Sequence, residues 1–235
     1  MKSKFIDNNL VNKYCFFSGD NNPCHQEQSL LDQKKRIIHG GLLCDTSISN
    51  NRNLKLKNMT RLKISFNNLL SVPSSINTIL LKKEEDKYKF SINNLSNNVI
   101  NYVTYFSEQK FPYPLNTIEF KNFDEIKIPN KWEENFSKNK VYKLGEYLIK
   151  DNFYKDSTLD AKYSSSLGIL SKIVGMYIPG LNSTSALYDI YYSNRNDSHL
   201  YLKIINVIPS VSILRIVVQT KFFQAIINAK NKSPY

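Results

Sequence analysis

Two periodicities divide the chain. Ile6, Leu10, Tyr14 and Phe17 share one helical face with Val11 beside them, and Ser18-Gly19 follow as a stop, so the spacing predicts a helix ending there. Gly40-Gly41 then open "LLCDTSIS", read as a second, largely buried helix. After about Asn53 the period falls to two. Leu54 and Leu56 alternate with lysines, and Leu62, Ile64 and Phe66 alternate with Arg61, Lys63 and Ser65. "SINTILLKK", "KYKFSI" and "NVINYVTYF" continue as antiparallel strands, with "EEDK" as a turn.

The pattern breaks up over residues 110–140, where "FPYPLN" and "KIPNKWEENFSKN" carry three of the eight prolines and the single tryptophan. This stretch reads as a linker with one strand at "TIEF", which is the expected means of completing the first sheet, because the first half begins directly at its helix. "KVYKLGEYLI" reads as a strand, and "SSSLGILSKIVGMYIPGLNSTSA" as a short helix, a turn and the start of another helix. "LYDIYYS", "HLYLKIINVI", "VSILRIVVQT" and "KFFQAIINA" read as four further strands. Helix, glycine-started helix and four strands thus occur twice. The pattern predicts an α+β chain built of two units, each a curved sheet around a central helix. The boundaries are 1–109, a linker over 110–140, and 141–235.

Composition narrows the setting. Hydrophobic residues make up 41% of the 235 positions, enough for a real core. No apolar run reaches the roughly 18 residues of a membrane span, and the N-terminus lacks the apolar core of a signal peptide. Three cysteines, Cys15, Cys24 and Cys44, form no framework spacing, so a cytoplasmic protein without disulfides is expected. Against 32 Lys and Arg stand 20 Asp and Glu, a net charge of +12. That field favours phosphates or acidic partners but is spread along a Lys- and Asn-rich chain, so it selects none by itself.

The chemistry concentrates in "SGDNNPCH", Ser18 to His25, and in "HGG", His39 to Gly41. Gly19, Asp20, Asn22 and Pro23 are turn formers, and Pro23 stiffens the turn. Asp20 and His25, five residues apart, form a carboxylate–imidazole pair able to hold a water and move its proton. Gly40 or Gly41 at a helix start offers an unobstructed N–H for a developing oxyanion. On pattern alone the same Asp and His also serve as helix caps, and Cys15, Cys24, His25, His39 and Cys44 compose a zinc-ligand set, though without knuckle spacing. His199 stands alone before a strand.

"FFSGDNNPCHQEQ…RIIHGGLL" resembles the signature of MaoC-like (R)-specific enoyl-CoA hydratases and 3-hydroxyacyl-thioester dehydratases: an aromatic residue, S-G-D-x-N-P-x-H, then H-G at the start of the hot-dog helix. Ser18, Gly19, Asp20, Asn22, Pro23, His25, His39 and Gly40 all match. The resemblance implies a double hot dog whose second half is degenerate, with Pro179-Gly180 standing where His39-Gly40 stand in the first. It implies that Asp20 and His25 are catalytic and that the Gly40 N–H binds the thioester oxygen. Ser18, Asn22, His39 and Gly41 support them, and no metal or cofactor takes part. Lys34, Lys35 and Arg36 are candidates to meet the phosphates of coenzyme A or an acidic acyl carrier protein. The expected protein is a monomeric double hot dog or a homodimer acting on acyl thioesters in fatty acid or polyketide metabolism, with neither nucleic acid nor membrane as partner. A non-catalytic acyl-thioester binding subunit is the rival. A nucleic-acid binder, raised by charge alone, lacks the basic-aromatic motifs.

Overall fold

A computed structural model describes residues 3–26, 36–51, 56, 58–95, 97–113, 115, 121–122, 141–146, 151–155, 160–179, 183–193, 199–208 and 212–231. In chain order the first half holds β1 (Ser3–Ile6), α1 (Asn8–Ser18), α2 (Gly40–Asn50), β2 (Arg61–Phe66), β3 (Ser74–Lys83), β4 (Lys87–Asn94) and β5 (Asn97–Tyr105). The second holds β6 (Lys121–Asn122), β7 (Val141–Glu146), α3 (Ala161–Lys172), β8 (Ser183–Tyr192), β9 (His199–Ile208), β10 (Ile213–Gln219) and β11 (Phe223–Asn231).

The strands form a single sheet in the order β1-β3-β4-β5-β2-β8-β11-β10-β9-β7-β6. Read outward from the centre, β2, β5, β4, β3, β1 on one side answer β8, β11, β10, β9, β7 on the other. The repeat seen in the sequence is therefore a pseudo-two-fold about the antiparallel pair β2·β8, where Leu62 faces Ile190 and Ile64 faces Tyr188. Arg61 clasps Asp189 across this seam through two N–H···O bonds of 2.7 and 2.8 Å. Its guanidinium lies 4.9 and 4.6 Å from the rings of Tyr105 and Tyr191.

α1 starts at Asp7, whose carboxylate accepts from Leu10 N at 2.8 Å, and stops at Gly19, where φ of +72° is open to a residue without Cβ. α2 and α3 are buried almost throughout and pack on each other inside the curved sheet. Their serines are tolerated there because they bond to neighbours. Ser47 meets Thr78 and Tyr102 at 2.7 and 2.8 Å. Ser166 donates to Tyr163 O at 2.7 Å and contacts Tyr192 Oη at 3.0 Å.

Three expectations change. The first half does have a strand before its helix: "SKFI" forms β1 and pairs antiparallel with β3. Four residues are too few to show a period of two. "TIEF" lies outside the described residues, but the adjacent β6 pairs parallel with β7 at the far end of the sheet and so extends the second half. Finally, "SSSLGILSKIVGMY" is one continuous helical stretch, α3 running into a π-turn over Ile173–Tyr177, rather than a helix, a turn and a second helix. Pro179 therefore follows the second central helix and starts none, so it is no counterpart of His39 in place; Gly180 lies outside the described residues. The linker over 110–140 is also largely outside them. No helix among the described residues is long and apolar enough to cross a membrane.

Candidate active site

The turn after α1 is held by its own polar atoms. Ser18 Oγ donates to Tyr14 O at 2.8 Å and accepts from Asp20 N at 3.1 Å. Asp20 Oδ1 accepts from Asn22 N at 3.2 Å. Asn22 caps a single 3-10 turn over Pro23–His25, and its Nδ2 donates to Ser183 O of the second half at 3.3 Å. Asn22 thus braces the loop against β8. Arg36 is buried, and its guanidinium donates to His25 O, to Asn12 Oδ1 at 2.6 Å and to both oxygens of Asn8 at 3.3 Å. It ties the turn to α1 and faces inward, away from the phosphate role expected for it. Lys34 and Lys35 lie outside the described residues.

These contacts deliver Asp20 and His25, both buried, to one wall of a cavity. His25 Nδ1 donates to Ile37 O at 2.8 Å, which assigns the remaining lone pair to Nε2 when the ring is neutral. Nε2 lies 3.8 Å from Asp20 Oδ2. Burial lowers the His25 pKa from its usual value against the opposing pull of Asp20, so the neutral ring is favoured. His39, the residue before α2, stacks on His25 with centroids 3.6 Å apart and planes at 24°. Its Nε2 reaches Asp20 O at 3.3 Å. Burial first, and then the charge of His25, pushes the His39 pKa well down. His39 thus ties the Ser18–His25 turn to the start of α2.

Asp20, His25 and His39 bring three potential ligand atoms within 4.8 Å of one another. The stacking of the two imidazoles argues against a shared ion, since in-plane lone pairs on parallel rings do not converge. The three cysteines are buried thiols, and of these Cys15 touches the cluster, 3.7 Å from His39 Nε2. His199 begins β9, away from the cavity.

Gly40 lines the same cavity, and as the first residue of α2 its N–H has no acceptor within the helix. A Cβ here would fall 2.7 Å from Phe66 Cδ1. Gly41 serves packing instead, since its Cβ would meet Tyr14 Oη at 2.5 Å and Leu167 O at 3.1 Å. The cavity has room for several waters. Leu43, Phe66, Ile100, Val174 and Tyr188 form much of its apolar wall, with Phe66 edge-on to Tyr188 at 4.9 Å. Asp20 also receives Ser171 Oγ of α3 at 2.6 Å. Phe66, Tyr188, Ser171 and Gly175 are not legible as site residues in the sequence, because no local pattern links them to Asp20, up to 168 positions away.

No family model matches the sequence, and no curated relative does either. Solved structures match over nearly the whole chain. A MaoC-like dehydratase superposes with a TM-score of 0.57 at 11% identity, covering 98% of this chain and 96% of that one. The dehydratase domain of PpsC from Mycobacterium tuberculosis, solved with C12:1-CoA, gives 0.59 at 8% identity, covering 97% and 92%. A thioesterase-like protein from Novosphingobium aromaticivorans gives 0.50 at 8%, covering 85% and 89%. At these identities the likeness concerns the backbone alone. The chain has the double hot-dog fold, two curved antiparallel sheets that each hold a central helix and join edge to edge at β2 and β8.

Proposed function

We propose that the chain is a MaoC-like hydro-lyase that reversibly adds water to a trans-2-enoyl thioester. One observation carries this reading: the lone pair of His25 Nε2 and the carboxylate of Asp20 face each other across 3.8 Å in a cavity that also contains Gly40. Two acceptors at that spacing suit a hydroxyl or water that donates to both. In hydration the water oxygen bonds to C3 while one of its protons passes to His25 Nε2. The π electrons move toward the thioester oxygen, where the Gly40 N–H and the α2 dipole stabilise the enolate. The imidazolium, its charge favoured by Asp20, then returns the proton to C2. Dehydration runs these steps backward: His25 takes the 2-proton and delivers it to the departing 3-hydroxyl, which Asp20 orients.

Residues 1–109 act in this reading as the catalytic half and 141–235 as the supporting half. Lys34 and Lys35 are the contacts for phosphates of coenzyme A or of a carrier protein's prosthetic arm. A rival reading, acyl-thioester binding without turnover, draws on the ring of Phe66 covering Gly40.

The test is a turnover assay on the full chain with crotonyl-CoA and a crotonyl carrier protein. It follows loss of the conjugated thioester absorbance and, separately, release of free thiol. Wild type should hydrate without releasing thiol, and Asp20→Asn and His25→Ala should lose at least about a hundredfold in kcat. Binding without turnover supports the rival, thiol release supports a thioesterase, and variants equal to wild type refute the assignment of the pair.

A further inference from the structure

Among the described residues the second half shows no Asp–His pair like that of Asp20 and His25, yet it meets the Asp20 carboxylate directly. Ser171, in the last turn of α3, donates to Asp20 Oδ2 at 2.6 Å, and both side chains are buried. Immediately beyond, the helix widens into the π-turn Ile173–Tyr177, closed by Ile178 N donating to Ile173 O at 2.8 Å. Single π-turns are rare and concentrate at functional sites. Gly175 lies within it, and a Cβ there would fall 2.9 Å from Asp20 Cγ and collide with Oδ1. The carboxylate therefore occupies the space of the missing side chain. Two turns earlier, Gly168 lets α3 approach the turn that carries Asp20: its Cβ would stand 3.1 Å from Phe17 Cε1 and 3.4 Å from Ser18 Cα.

Chemistry requires this hold on Asp20. Within its own loop, the carboxylate's support at Oδ1 is a 3.2 Å bond from Asn22 N. Oδ2, the oxygen facing both histidines at 3.8 Å, is held by Ser171. Without that donor the group can rotate about its Cβ–Cγ bond, and Oδ2 leaves the line to His25 along which a water would be shared. Displacements near 1 Å cost about a hundredfold in rate when a reacting group must be aligned.

We infer that Ser171 and Gly175 are positioning residues for Asp20: the hydroxyl fixes the orientation of Oδ2 and the glycine provides the slot that receives the carboxylate. This rests on the hydro-lyase reading and gives the second half a specific task within it. Both residues line the cavity beside Asp20, and the role assigned to them acts through that carboxylate.

The experiment compares full-length wild type, Ser171→Ala, Ser171→Thr, Gly175→Ala and Asp20→Asn in enoyl-CoA hydration, with thermal melts to confirm folding. Ser171→Ala should lower kcat about tenfold or more with KM within about twofold of wild type. Ser171→Thr, which keeps the hydroxyl, should recover activity to within about threefold of wild type. Gly175→Ala should cost more than Ser171→Ala, and if it does not fold, the pair at 171 decides. An active wild type and an impaired Asp20→Asn beside a fully active Ser171→Ala overturn this inference alone. So does Ser171→Thr as weak as Ser171→Ala, since a merely structural serine gives no such rescue. A wild type without hydration on either thioester overturns the parent reading and this one with it.

Discussion

Asp45 offers a test of how the two halves fit together. It sits on α2 facing α3, where Ser164 Oγ donates to Oδ2 and Ser49 Oγ lies 3.4 Å from Oδ1, and no cation pairs with it among the described residues. Burial raises its pKa from 3.8 to about 6, against the two serine hydrogen bonds. The folded state thus holds the proton more tightly than the unfolded chain. Stability from this site is fully present below about pH 3.8, is lost as pH rises through about 6, and stays lost above it. A shift near two units corresponds to about 3 kcal/mol. Asp45→Asn keeps the acceptor for Ser164 and removes the charge, though its amide nitrogen then needs Ser49 as acceptor. The variant should gain about 1–3 kcal/mol over wild type at pH 8 and nothing near pH 4. Urea unfolding at each pH measures it, because the difference between variant and wild type cancels the other titrating groups. A difference that stays flat from pH 4 to 8, or a variant less stable at pH 8, refutes the reasoning.

Other outcomes follow from the same geometry. His25 must be neutral to accept a proton and burial lowers its pKa, so kcat/KM should fall on the acid side with a midpoint under 6.5; a midpoint above that value refutes the burial-driven shift, and an acid limb unchanged in His25→Ala removes His25 as its source. Arg61→Ala leaves Asp189 buried at the β2·β8 seam without the two hydrogen bonds from Arg61, beside Tyr191 Oη at 3.5 Å, and urea unfolding should show a loss of about 3 kcal/mol. Gly40→Ala drives a methyl into Phe66 and should cut kcat more than tenfold, while Phe66→Ala should widen the cavity and shift chain-length preference toward longer acyl groups in a substrate series.

Much of this protein was legible because its signals are local. Helical spacing ending in Gly19, the alternation in "RLKISF" and the turn at "EEDK" report which face of each segment is covered, and all three fell where the backbone places them. The turn residues of "SGDNNPCH" likewise bring Asp20 and His25 to one cavity. The short β1 and the single run of α3 were not legible. Four residues carry no measurable period, and Gly175 in a helical pattern reads as a break although here it sits inside a π-turn.

Arg36 shows the other limit, for a basic run reads as a solvated or ligand-facing surface until neighbouring carbonyls are seen to claim it. By itself the sequence determined the elements and the chemical kinds of residue in the turn, because both depend on neighbours a few positions apart. Only the tertiary structure decided that α3 and the π-turn after it press Ser171 and Gly175 onto Asp20 and that Phe66 lies over Gly40. Those contacts join positions 26 to 155 residues apart, and their geometry follows from how the two curved sheets close around their helices, which no local pattern encodes.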